Sequence, residues 1–343
     1  NNGIKMNKFS ILAVMAHYAA TATTFLLQAF ELMGCRVIRC GPSYADHMGI
    51  SWFPNEPHID ILLSKNSNWD LDHFLDWCVK YEHCTPDMIF LSEESYNNGI
   101  FPTKKVPSVL WSLDGWKNNY ARRDMIQPTL SLTNHPLGIR AEPQSETPPG
   151  WIFMPGACAP WIHKNYTKEK RGYDFALMAT MYGQREQICK AIKENGLSAL
   201  YGQANIPGYV AAYNAARFTL HNSNAQCEVK FRAYEAMAMG CVNICDYCPI
   251  WDWQGYKEWT HYIPTGTRCI IDYDGDPWPD PQEIIQLIRQ TPLDLWLDIS
   301  RNAERKTLEE NTYLHRAYYV FSLLNMPQLA NQALETAQQY RPQ

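Results

Sequence analysis

A chain of 343 residues with 46% hydrophobic side chains is long enough to bury two ordinary domain cores. Its 30 Lys and Arg against 35 Asp and Glu leave a formal net charge of -5, which excludes a global field drawing it to nucleic acid. No run reaches the ~18 uninterrupted apolar residues of a membrane span, and 11 cysteines, an odd count, argue for reduced thiols in a cytoplasmic setting rather than a disulfide framework.

Met6 reads as the natural start, with residues 1–5 outside the fold. Residues 9–15 form a β-rich run, a small polar loop over 16–24 leads into a helical pattern over 25–33, Gly34 stops that helix, and 36–40 starts a second strand. That is a βαβ unit. A helix over 70–81, a strand over 87–91 and another over 108–111, entered through Pro107, continue the alternation of an open parallel sheet. The proline-rich, polar stretch 142–150 is the best linker. Beyond it come a strand over 173–180, a helix over 185–195 stopped at Gly196 and a strand over 198–201 ended by Gly202. A strand over 218–221, a helix over 231–239 closed by Gly240 and a strand over 241–245 follow. Helical patterns over 281–290 and 295–324 close the second domain, the last of them able to cross back to the first. The expected fold class is α/β, with domains over 6–145 and 146–324 and a helical tail over 325–343.

The segment from Asn222 to Gly240 runs from a strand end through a loop into a helix, where free N–H groups and the helix dipole suit an anion. Glu228, Arg232 and Glu235 share one helix face if the helix starts early enough. Two carboxylates flanking a guanidinium can hold hydroxyls and a phosphate, and the same spacing equally suits a surface salt-bridge ladder. His17 and Tyr18 follow the first strand, where an open α/β sheet places its ligands. No Gly-x-Gly-x-x-Gly fingerprint of dinucleotide binding stands there, and a histidine in that place serves structure as readily as catalysis. Glu93 and Glu94 after the third strand, and Asp114 and Trp116 after the next, stand at corresponding ends as acceptor-site candidates, with Trp116 a platform for a sugar or base. His17, Asp114 and Glu228 are the candidate catalytic groups.

Two further patterns point elsewhere. Cys241, Cys245 and Cys248 have the spacing that ligates an iron–sulfur cluster in radical enzymes, yet they fall on an expected strand, where buried free thiols are common. The run from Asp272 to Asp276 looks like a cation loop, but Pro277 stands where such a loop needs glycine, so a solvated turn is expected and no metal site is assigned.

The run Arg232-Ala-Tyr-Glu-Ala-Met-Ala-Met-Gly240 resembles the Arg-x-(aromatic)-Glu-Ala-x-Ala-x-Gly signature of retaining, group 1 GT-B glycosyltransferases, the CgeB-like branch in particular. Residues 107–114, Pro-Ser-Val-Leu-Trp-Ser-Leu-Asp, resemble an N-domain stretch of that branch, and 179–185, Ala-Thr-Met-Tyr-Gly-Gln-Arg, the loop opening its C-domain. Tyr201-Gly202 and the pair Tyr209 and Tyr213 are similar to further elements, so the likeness runs from about Phe9 to about Leu324. It implies two Rossmann-like domains with parallel sheets facing across a cleft, the first for the acceptor and the second for a nucleotide sugar. It also implies a glycosyltransferase that moves a sugar from a nucleoside-diphosphate sugar, UDP-linked, to an acceptor hydroxyl, with retention and with no metal or other cofactor. By the same resemblance Glu235 accepts hydrogen bonds from the ribose hydroxyls and Arg185 meets the diphosphate. Tyr182, Gly183, Tyr201, Gly202, Asn222, Ser223, Asn224, Lys230 and Arg232 complete the donor site, and Tyr18, Glu93, Glu94 and Trp116 the acceptor site.

The family pattern has another Glu eight places before the ribose Glu; that place is Cys227 here, with Glu228 one residue late. A nucleotide-sugar-binding protein without catalysis therefore stays open as an alternative. Acceptors in view are a carbohydrate, a small molecule, a protein or a hydroxylated base in DNA, for which Lys104, Lys105, Lys117, Arg122 and Arg123 would form a basic rim.

Overall fold

The computed structural model describes residues 8–15, 17, 21–41, 59–62, 69–92, 100–101, 103, 105–113, 126–134, 150–167, 170–181, 183–223, 229–268 and 278–342. Strands β1 (Ser10–Val14), β2 (Arg36–Gly41), β3 (Ile61–Leu62), β4 (Trp69–Asp70), β5 (Met88–Ser92), β6 (Ile100–Phe101), β7 (Ser108–Ser112), β8 (Leu130–Thr133) and β9 (Trp151–Phe153) come first. Seven of these form a parallel sheet ordered β3-β2-β1-β5-β7-β8-β9, and β4 pairs with β6 separately. Strands of a parallel sheet are buried on both faces, so β1 reads as a continuous apolar run rather than an alternating one. Ile11, Leu12, Ala13 and Val14 are all fully buried, and Leu12 and Val14 share a core with Ile38, Ile89, Leu91, Leu110 and Trp151.

The helix Ala22–Leu32 starts earlier than the apolar period suggests, because Thr21 caps it by accepting the Thr24 N–H on Oγ1. The expected 70–81 helix is α-helical over Leu71–Trp77, then widens into a π-helix over Cys78–Glu82.

A second set of strands, β10 (Tyr173–Met178), β11 (Ala199–Gly202), β12 (Ala216–His221), β13 (Val242–Tyr247) and β14 (Ile263–Arg268), forms a parallel sheet ordered β11-β10-β12-β13-β14. Phe175, Leu177, Phe218, Leu220, Val242 and Ile244 pack there with Ile188 and Ile192 of the helix Gln184–Glu194, Ile284 and Ile288 of Pro281–Gln290, and Trp296 of Leu293–Glu310. In both sheets the strand order reverses beside the first strand, between β1 and β5 and between β10 and β12. Ligands of open α/β sheets bind beyond the carboxyl ends of strands at such reversals.

Two compact units divide the chain. The first takes the described residues up to 134, then 150–154 and Arg316–Thr336; the second takes 155–315 and those from 337. This division differs from the expected boundary at 145 and 146. The short apolar run Trp151–Phe153 pairs with β8 at the edge of the first sheet, so the break falls between Met154 and Pro155. Residues 142–149 of the expected linker lie outside the described residues.

The single helix expected over 295–324 is two, Leu293–Glu310 and Tyr313–Leu323. Between them the Cys158 N–H donates to the Asn311 carbonyl and the Tyr313 N–H to the Cys158 carbonyl, both at 3.0 Å, which draws the backbone out of helical geometry. Residues Arg316–Thr336 belong to the first unit. The Phe321 ring lies 5.3 Å from Phe30 and 5.7 Å from Phe9, and Gln332, in the helix Pro327–Gln338, donates to the Met33 carbonyl. Residues 316–324, expected in the second domain, and 325–336 of the expected tail therefore lie in the first unit.

Candidate functional site

The second unit gathers most of the described candidates beyond the carboxyl ends of β10, β11 and β12. After β10 the chain turns through Gly183, whose φ of 51° favours glycine, into the helix Gln184–Glu194, which has no side-chain cap at its N-terminus. Arg185 in its first turn donates to the Thr180 carbonyl at 3.2 Å and lies 5.8 Å from the Trp278 ring centroid. Gln203 donates to the Thr180 hydroxyl at 3.0 Å, which ties the ends of β10 and β11 together beside Gly202, itself at φ 128°. Tyr201 is half-buried under the Lys193 ammonium, 4.6 Å from the ring centroid.

After β12, Asn222 and Ser223 are buried. The Ser223 N–H and hydroxyl both donate to Asp246 Oδ1, at 2.9 and 3.0 Å. The Ser223 hydroxyl thereby anchors the start of the loop to β13 and keeps its acceptor lone pairs. Asp246 is fully buried, its Oδ2 has no hydrogen-bond partner, and burial pushes its carboxyl up to about 7.

The helix Phe231–Ala238 starts after Lys230, whose ammonium has no acceptor with which to cap the first N–H groups. Because the helix begins at Phe231, Arg232 and Glu235 share a face, while Glu228 lies outside the described residues. Glu235 is 3% exposed, which excludes the surface salt-bridge ladder that spacing alone allowed. Its Oε2 accepts a hydrogen bond of 2.5 Å from the Tyr209 hydroxyl, and its Oε1 lies 3.6 Å from His163 Nε2. Burial raises its carboxyl to about 7 against the opposing pull of the Tyr209 hydrogen bond and the Arg232 charge.

Sequence reasoning missed His163 altogether and saw Tyr209 only as part of a resemblance. Tyr209 is delivered by the helix Ile206–Ala215, capped by Asn205, whose Oδ1 accepts the Gly208 N–H at 3.0 Å. Its ring stacks edge-on against Tyr213, 4.7 Å between centroids, and the Tyr213 hydroxyl accepts the Met178 N–H at the end of β10. His163 arrives on the segment after Pro155, which crosses the first turn of the Glu235 helix at Gly156. A Cβ there would lie 3.0 Å from Phe231 Cα, so glycine permits the approach.

Arg171 braces the carboxyl ends of the two helices that carry Tyr209 and Glu235. One guanidinium nitrogen donates to the Tyr213 and Ala216 carbonyls at 2.6 and 2.8 Å, and the other to the Met239 carbonyl at 2.6 Å. A cation there also opposes the negative ends of both helix dipoles. Gly240, at φ +71°, closes the second helix, where a Cβ would meet Arg171 NH2 at 2.6 Å.

In the first unit, His17 is 1% exposed, with Nε2 3.2 Å from the Cys40 carbonyl. Burial lowers its pKa to about 4, so the ring is neutral and joins the ends of β1 and β2. This geometry suits the structural one of its two open readings, with Nε2–H engaged by backbone. Tyr18, Glu93, Glu94, Asp114, Trp116, Tyr182 and Asn224 lie outside the described residues, as does the run from Asp272 to Asp276. So do Lys104, Lys117, Arg122 and Arg123; Lys105 sits 3.7 and 3.5 Å from the Asp72 and Asp76 carboxylates, a balance of charge that weakens a basic rim.

Cys241, Cys245 and Cys248 are buried and form no disulfide among the described residues, and among the same residues no group of three or more His, Cys, Asp or Glu side chains could hold a metal ion. Among the same residues no helix is long and apolar enough to cross a membrane.

Residues 161–322 match the glycosyl transferase-like family model. Among curated proteins, none matches the sequence. The fold is similar to that of Anabaena HepE in complex with UDP and glucose, with a TM-score of 0.56 at 12% identity over 96% of this chain and 100% of that one. A sucrose-phosphate synthase from Thermosynechococcus elongatus gives 0.53 at 11% over 96% and 100%. A glycosyltransferase from Rickettsia africae gives 0.53 at 10% over 97% and 99%. With its two parallel α/β sheets the chain has the GT-B fold, and the Arg232 to Gly240 run lies inside the segment, residues 161–322, that matches the glycosyl transferase-like family.

Proposed function

We propose that the enzyme transfers a sugar from a UDP-linked donor to an acceptor hydroxyl, with retention at the anomeric carbon and without a metal ion, in a reducing, cytoplasm-like compartment. One observation carries the donor site: a buried Glu235 carboxyl beside Arg232, at the strand-order reversal of the second sheet, between two helix N-termini that lack side-chain caps. A carboxylate has about four acceptor sites, and Tyr209 fills one of those of Glu235, which leaves room for two adjacent ribose hydroxyls. Arg185 and the backbone N–H groups of both helices supply the positive charge that a departing diphosphate needs, the task a divalent ion performs elsewhere. The UDP bound by HepE, which shares the fold, supports the choice of base. Gly183, Tyr201, Gly202, Asn222 and Lys230 line the same strand and helix ends and are assigned to donor contacts. The nine cysteines among the described residues form no disulfide with one another, which suits a reducing compartment.

UDP is expected to raise the melting temperature in the presence of a chelator, since ligand that binds only the folded state stabilises it by mass action. An absolute requirement for magnesium or manganese would count against the reading. Arg185→Ala is expected to weaken UDP by about tenfold or more, the loss of one charge-assisted contact, while uridine binding changes little. Equal losses for nucleoside and diphosphate in a titration would remove Arg185 from the phosphate site.

A further inference from the structure

We infer that Tyr209 and His163 are positioning residues that hold the Glu235 carboxylate from two sides, in the orientation that receives the ribose of a nucleoside diphosphate. The inference rests on the donor-site reading above.

The geometry specifies the proton positions. His163 Nδ1 accepts the Ala159 N–H at 3.0 Å, so the proton of the neutral ring is on Nε2, directed at Glu235 Oε1 3.6 Å away. Burial lowers the His163 pKa to about 3, so the imidazole stays neutral and acts as a dipole rather than a charge. On the other side the Tyr209 hydroxyl donates to Oε2. Burial and the neighbouring Glu235 charge keep the Tyr209 proton in place far above neutrality, and burial pushes Tyr213 up to about 12. Arg232, one helical turn before Glu235, is the cation that acts on it.

The Tyr209 hydrogen bond on Oε2 and the His163 ring dipole 3.6 Å from Oε1 restrict the carboxyl plane, where a lone buried glutamate would rotate about its last torsion. The Tyr209 hydrogen bond and the Arg232 charge favour the ionised form over the protonated one. Among these groups Glu235 alone is poised near neutral pH, at about 7. Two ribose hydroxyls need an ionised acceptor, so UDP affinity should rise as pH increases through about 7 and level off above it. Removing a donor that favours the carboxylate moves that rise to higher pH.

The test measures UDP affinity of the full chain from pH 6 to 9 by titration calorimetry, for wild type, Tyr209→Phe, His163→Gln and Glu235→Gln. The titration of the diphosphate is common to all four, so subtracting the Glu235→Gln profile isolates the carboxyl. Tyr209→Phe is expected to shift the midpoint upward by about one unit, with affinity about tenfold weaker at pH 6.5 and within about threefold of wild type at pH 9. His163→Gln is expected to shift it in the same direction by less, and supplies the answer if the phenylalanine variant does not fold. Unshifted midpoints in the folded variants, or equal losses at every pH, overturn the inference and leave the donor site standing. UDP binding that Glu235→Gln leaves unchanged removes Glu235 from the ribose contact, and absence of UDP binding by wild type at any pH overturns the donor-site reading; either result takes this inference with it.

Discussion

Glu235→Gln is expected to lower donor affinity by at least about tenfold in a protein that remains folded. The carboxyl is 3% exposed and faces two N–H or O–H donors, Tyr209 and His163, so the site is built for an acceptor on both of its oxygens. Glutamine has the same shape but only one acceptor oxygen. If that oxygen turns to Tyr209, the amide NH2 confronts the His163 N–H and a ribose hydroxyl loses its acceptor; if it turns to His163, Tyr209 is orphaned. A hydrogen bond to a charged group contributes roughly 1.5–3 kcal/mol, and about 1.4 kcal/mol is a factor of ten in affinity. A deoxyribose donor lacks one of the two hydroxyls and should be hurt less. Titration of both donors against wild type and variant decides the matter. A silent Glu235→Gln with intact folding would make the Arg232 to Gly240 run a packing motif alone.

Arg171→Ala is expected to cost the second unit about 3 kcal/mol, the range for removing a charged donor from partners that cannot all find water. Three backbone carbonyls, of Tyr213, Ala216 and Met239, would lose their donor, and two helix ends would lose the cation opposing their dipoles. For a unit of this size, that corresponds to roughly 6–12 °C in melting temperature. Arg171→Lys should recover part of the loss, because an ammonium reaches one or two of the carbonyls but lacks the planar fork. Calorimetry reads both variants. A shift within about 1 °C for the alanine variant would show that the brace contributes nothing measurable and that helix packing alone holds Tyr209 near Glu235. Because the brace lies at the far ends of those helices from their N-termini, a destabilised variant that still folds should bind UDP close to normally below its transition.

The amino-acid sequence by itself determined the features carried by local patterns. The buried runs of β1, β5, β7, β10 and β12, the helix stops at Gly34, Gly196 and Gly240, and a helix over most of the Arg232 to Gly240 run were all readable from short-range order. Side-chain period and backbone preference are properties of a few neighbouring residues, and a βαβ alternation constrains a sheet to be parallel. Tertiary structure decided the rest. Nothing local distinguishes Trp151–Phe153 from the start of a second domain; pairing with β8 assigns it to the first. The helical period through 295–324 is continuous, and only the bridge to Cys158 breaks it. His17 follows a strand as a catalytic histidine would, yet the Cys40 carbonyl claims its ring. The company of Glu235 was invisible for the same reason: His163, Tyr209 and Glu235 come from three separate segments, and no periodicity reports which buried polar groups will meet. Desolvation makes such meetings compulsory, because a carboxyl withdrawn from water must find donors wherever the fold supplies them.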